Sequence, residues 1–121
     1  MEIVQNITEN LEDQLEQYQR LLNLAERKAH LISKKAADRE VEDLHKLVKS
    51  EVQVVSILKE LENKRRGIAK DQDFESILEE SDVSRDKLVH LKDAIKDVAF
   101  KLHRINSKNS LALNVSLKVI N

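Results

Sequence analysis

The side chains of this 121-residue chain that could move a proton or hold a metal are its carboxylates and four histidines, since it has no cysteine. Thiolate metal sites, thiol nucleophiles and disulfides are therefore excluded. Glu51 and Glu62 stand out because both fall inside an apolar helical face. Paired carboxylates can divide acid and base work, but these two lie eleven residues apart on one helix, about 16 Å by helical rise. A glycosidase pair needs roughly 5–10 Å. An ion pair with a neighbouring helix is the better reading of each. His30, His45, His90 and His103 share no metal-ligand spacing, and His90 with Asp93 at i,i+3 points away from the apolar stripe, as on a solvated face. There is no glycine-rich phosphate loop and no nucleophile elbow. The residues predict no enzyme, no metal and no cofactor.

The elements that carry these residues read as helices throughout. There is no proline, one glycine (Gly67), 2% aromatic and 36% charged residues, a composition of long helices or coiled coils. The fold class expected is all-α: a long antiparallel helical hairpin plus a third, C-terminal amphipathic helix, in one domain of residues 1–121. Helix one is expected over 2–33, with Ile3, Ile7, Leu11, Leu15, Tyr18, Leu22, Ala25, Ala29 and Ile32 at steps of three and four. Leu21, Leu24 and Leu31 widen that stripe, so this helix should meet two neighbours. The stripe loses phase at 34–38, where a turn is expected with Asp38 as a candidate cap. Helix two, 39–66, presents Val41, Leu44, Leu47, Val48, Val52, Val55 and Leu58, with Val54, Ile57 and Leu61 as a second strip beside it. Gly67 could end it in the left-handed conformation. An acidic linker with a short helical turn, 67–84, contains Phe74, Ile77 and Leu78, which could fold over the bundle. Ser81, Asp82 and Ser84 are competent caps for a last helix over 85–119.

That last helix is the best lead to function. Residues 67–86 carry seven acidic and two basic side chains, whereas 87–121 carry two and seven, with no acid after Asp97. Leu88, Leu91, Ile95, Val98, Leu102 and Ile105 form a clean stripe that Leu113, Leu117 and Ile120 continue. Phe100, Leu111 and Val115 lie roughly opposite it, between Lys101, Arg104, Lys108 and Lys118. One apolar face packs on the helix's own domain, and a second asks for another partner. Four cations without aromatic stacking platforms are a weak nucleic-acid footprint. A membrane-surface helix would need a denser basic face. A protein partner ranks first, with no nucleic acid and no membrane insertion. The acidic N-terminus does not read as a signal peptide, and no apolar run approaches a membrane span. A cytoplasmic protein is expected.

Three segments resemble the FlgN family of flagellar export chaperones. YQRLLNLAERKAHLI, 18–32, is similar to the family's first helix, and LVKSEVQVVSILKELENKRR, 47–66, to its second. LHRINSKNSLALNVSLKVI, 102–120, resembles its tail, in which two asparagines three apart precede a leucine-rich amphipathic end. Asn106, Asn109, Leu111, Leu113, Ser116 and Leu117 occupy those positions. The resemblance implies a chaperone that binds the C-terminal helical region of hook–filament junction proteins. It would keep them soluble and deliver them to the type III export apparatus. With the two-faced tail it gives a client-binding set of Phe100, Arg104, Asn106, Lys108, Asn109, Leu111, Leu113, Val115, Leu117 and Val119. In this class of chaperone a tail tyrosine can dock on the export gate. The last half of this chain has none, and Val119 stands near its place.

Two other readings stand beside this one. The second tail face could bury a homodimer in a structural coiled-coil protein without a client, so monomer and homodimer both stay open. A phosphotransfer-type signalling bundle is the third. Its usual glycine after His-x-Leu-Lys is missing here, where the order is His90, Leu91, Lys92, Asp93.

Overall fold

The computed structural model describes residues 2–33, 38–70, 72–81 and 83–120, and the side chains within these except at 33, 38–40 and 109–120. Four helices follow in order: α1 (Glu2–Ser33), α2 (Asp38–Ala69), α3 (Phe74–Glu79) and α4 (Arg85–Ile120). No strand occurs among the described residues, so the fold is all-α. Residues 34–37, where a turn is expected, and Asp82 lie outside the described residues, as does the Asp38 side chain.

α1 is the central element. It packs along both α2 and α4, which make no comparable contact with each other. Its doubled apolar strip is what that position demands, since one narrow stripe can seal against only one partner. Val4, Ile7 and Leu11 of α1 meet Ala69 at the end of α2, Ile77 and Leu78 of α3, and Leu88 and Leu91 of α4. Further along, Leu21 and Ala25 meet Val54 of α2 and Leu102 of α4. Both clusters are almost wholly aliphatic.

Two local signals resolve differently from the sequence reading. Gly67 is inside α2, which runs on to Ala69, and the left-handed residue is Lys70, with φ 55°. Apolar Ile68 and Ala69 pack on the lower core and hold the extra turn in place. α3 is started by Asp73, whose carboxylate accepts a hydrogen bond from the Ser76 N–H at 2.8 Å. That bond keeps the Asp73 carboxyl below its ordinary value. Ile77 and Leu78 then fold inward, and Ser81 closes the turn by donating its hydroxyl proton to the Ile77 carbonyl.

The larger correction concerns which face of α2 is core. Val54 is buried at 1% exposure, whereas Val41, Val48, Val52 and Val55 of the expected main face are exposed at 55%, 41%, 64% and 37%; Leu58 of that face still packs on the core, and Ile57 of the second strip is exposed. Both strips are apolar, and the sequence offers no rule for choosing between them. Fixed polar pairs with α1 choose the orientation: Asn10 donates to the Leu61 carbonyl at 3.0 Å, and Lys28 reaches Glu51.

Candidate functional site

α4 carries the sequence-predicted site, and the structure divides its residues between two sides of that helix. Phe100 is 63% exposed. Arg104 and Lys108 follow it at intervals of four, also exposed, so the three run along one line of the helix. Lys101 pairs with Asp97 at 3.1 Å. Lys101, Arg104, Ile105 and Lys108 border a small groove of about 180 Å³ with Glu26 of α1. Its lining is mostly basic, with one aliphatic wall and one acid.

Asn106 is on the other side, roughly 120° around α4 from Phe100. It is half-buried, and its Oδ1 is fully buried without a hydrogen-bond partner among the described residues. A buried carbonyl oxygen left unpaired costs about 1–3 kcal/mol. The structure therefore does not bring Phe100 and Asn106 onto one surface. The side chains of Asn109, Leu111, Leu113, Val115, Leu117 and Val119 lie outside the described residues, although the α4 backbone carries all six positions.

The two glutamates of the apolar face resolve into different pairs. Lys28 Nζ lies 2.8 Å from Glu51 Oε1 and 3.2 Å from Oε2, with both side chains nearly buried, so Glu51 is tied to the neighbouring helix. Glu62 corrects its expectation. Its ionic partners are Arg65, through two guanidinium contacts, and Arg66 at 3.6 Å, both on α2 itself, and the Gln14 side chain of α1 adds a hydrogen bond. The Arg65 hydrogen bond, joined by the charges of Arg65 and Arg66, holds the Glu62 carboxyl below the usual carboxylate value despite partial burial. Glu51 also borders a groove on α2 that includes Lys59, but its carboxylate is engaged by Lys28. Among the described residues no group of three His, Asp or Glu side chains could hold a metal ion.

Two further open surfaces escaped the sequence reading. α1 and α2 splay into a groove of about 660 Å³, with Leu24, Leu31 and Leu47 between Glu26, Arg27, Asp43 and Lys46. The opposite flank of α2 presents Val48, Val52 and Val55 around a second groove of about 390 Å³ that includes Lys59. The signal for the latter was the presence of two apolar strips on α2 where one helix, α1, was available to cover it.

The helical frame, the basic last helix and the uncovered apolar surfaces agree with one comparison. A family model described as FlgN protein matches residues 1–121. The chain belongs to the FlgN family. FlgN proteins are flagellar export chaperones, a family not known for enzymatic activity. No curated protein and no solved structure gave a significant match. In this FlgN protein no described helix is long and apolar enough to cross a membrane.

Proposed function

We propose that this FlgN protein binds the C-terminal helical region of flagellar hook–filament junction proteins, keeps them soluble in the cytoplasm and delivers them to the type III export apparatus. The observation that carries this reading is Phe100, a large aromatic left 63% exposed on the helix that also bears the basic tail. Leaving this phenylalanine 63% exposed forgoes about 1–2 kcal/mol of burial, a cost that a binding partner recovers. Arg104 and Lys108 on the same line of α4 set orientation and association rate, while apolar contact supplies most of the affinity. Clients of this kind are disordered amphipathic segments that fold on binding, and helix-in-groove packing is their expected mode.

Deletion of residues 108–121 tests the assignment. Helices α1 and α2 and the anchors Leu88, Leu91, Val98 and Leu102 all precede the cut, so the truncated protein should remain helical by circular dichroism. Calorimetric titration with C-terminal segments of hook–filament junction proteins should show binding to the full chain and none to the truncation. Equal affinity would remove the tail from the client site. Binding lost by about 0.3 M salt, with Leu111→Asp harmless, would mean that charge and not apolar contact carries recognition.

A further inference from the structure

α1 holds α2 and α4 on two of its flanks, and a fourth position runs along the same bundle between them. α3 fills one end of it. Ile77 and Leu78 pack there with Val4, Ile7, Leu88 and Leu91, and Lys92 Nζ lies 4.5 Å above the Phe74 ring. α3 is only six residues long, so it covers less than two turns. Beyond it the walls of the fourth position are α2 and the later part of α4.

Helical phase places the valines of α2 on that opening. Val48, Val52 and Val55 stand roughly 100–160° around α2 from Val54, which is buried with Leu21 and Ala25 of α1. Asp43, Lys46 and Ser50 occupy the opposite flank, where α2 faces Asn23, Arg27 and Leu31 across the other groove. On α4, Asn106 stands roughly five turns above Leu88 on the same line, and Leu88 packs in the core that α3 closes. Val48, Val52 and Val55 line the α2 wall of that end, in a groove bordered by α2 residues, and Asn106 stands on the α4 line that leads to it.

Two observations say what fits. Val41, Val48, Val52 and Val55 together leave on the order of 300 Å² of surface open, the size of the largest apolar patch on a typical monomer, which is often functional. A stable dimer buries about 800 Å² from each partner, apolar and polar together, so the strip alone would form only part of such an interface. It is the footprint of one face of a single helix. The groove also contains Glu51, whose charge Lys28 offsets, and Lys59, while Lys49 stands one residue beyond Val48; among the described residues neither Lys59 nor Lys49 has an ion pair. A partner helix with acidic residues beside its apolar face would satisfy these cations.

We infer that the unfilled end of the fourth helical position is a docking surface for an amphipathic client helix with an acidic margin, seated against Val48, Val52 and Val55 with Lys59 at its edge. The client helix continues the line that α3 begins and completes a four-helix cross-section. This rests on the chaperone reading above and adds α2 to the surfaces that hold the client.

Val52→Asp and Lys59→Glu in the full chain test it, with circular dichroism as the folding control and C-terminal segments of hook–filament junction proteins as probes. Val52 is 64% exposed, so its variant should keep wild-type helicity and melting temperature. Val52→Asp should weaken binding by about tenfold or more. Lys59→Glu should weaken it several-fold and flatten its salt dependence. Wild-type affinity for both variants, with the 108–121 deletion inactive, overturns the α2 surface and leaves the chaperone reading intact. Unchanged client affinity in Val52→Asp with a changed sedimentation coefficient assigns the strip to a second copy and overturns the inference. Wild-type protein that binds none of the segments overturns the inference together with the reading it rests on.

Discussion

Lys28 on α1 and Glu51 on α2 form a nearly buried ion pair, 2.8 Å from Nζ to Oε1, with 14% and 11% of their side chains exposed. The pair lies within one helical turn of Ala25 and Val54, which pack together in the upper core. It fixes the register of the hairpin and the rotation of α2. Removing one partner strands a charge in a poorly solvated site, whereas removing both does not. Lys28→Met should therefore cost about 3 kcal/mol in urea unfolding. Lys28→Met combined with Glu51→Leu should recover most of that loss. If the double variant is no better than the single one, the pair is not what holds α2 in place.

The choice of α2 face makes a second contrast. Val54→Ala should cost about 2 kcal/mol, because its site is fully enclosed and a cavity would remain. Val55→Ala, one residue on, should cost under about 1 kcal/mol, since Val55 is 37% exposed. Chemical denaturation of the two variants side by side distinguishes them. The reverse order would restore the strip that periodicity alone suggested as core.

Asn106 offers a case where stability and function should oppose each other. Its buried Oδ1 has no donor among the described residues, so Asn106→Leu should stabilise the free protein by about 1 kcal/mol. If the client supplies that donor or rearranges the site, the same variant should bind client segments more weakly. A stabilised variant with unchanged affinity would make Asn106 a structural feature only.

The acid limb of the stability curve should report Glu62. Its carboxyl is held below the ordinary value of 4.5 by the Arg65 hydrogen bond and the neighbouring guanidinium charges. A depressed folded-state value means that the unfolded chain takes up the proton first. The stabilisation is therefore fully present above the unfolded value and is lost as pH falls through the folded one. Wild type should exceed Glu62→Gln in stability by a constant margin from about pH 6 to 8, and the margin should shrink below about pH 4.5. Denaturation midpoints across that range measure it. A margin independent of pH would show that the pairing with Arg65 contributes nothing to folding.

Much of this protein is written locally. Absence of proline and steps of three and four through Ile7, Leu11, Leu88 and Leu91 impose long helices, because that spacing aligns side chains on one face whatever surrounds them. The widened strip at Leu21 and Leu24 already requires two neighbours for α1, and the exposed line of Phe100, Arg104 and Lys108 follows from the phase of α4. Glu51 was legible as an ion-paired residue because a carboxylate on an apolar face has few other stable options. What periodicity could not decide was which of two equally apolar strips of α2 would be covered. Val54 and Val55 differ by one position and 100° of rotation, and no local propensity separates them. Partners from far along the chain decide it: Asn10 against the Leu61 carbonyl, Lys28 against Glu51, Leu21 and Ala25 against Val54. Glu62 turned to Arg65 for the same reason, since only the assembled hairpin determines whether a cation from another helix is nearer than one three residues away. The open end of the fourth helical position is a property of the assembly alone, because it is defined by the six-residue length of α3 against three helices of 32 residues or more.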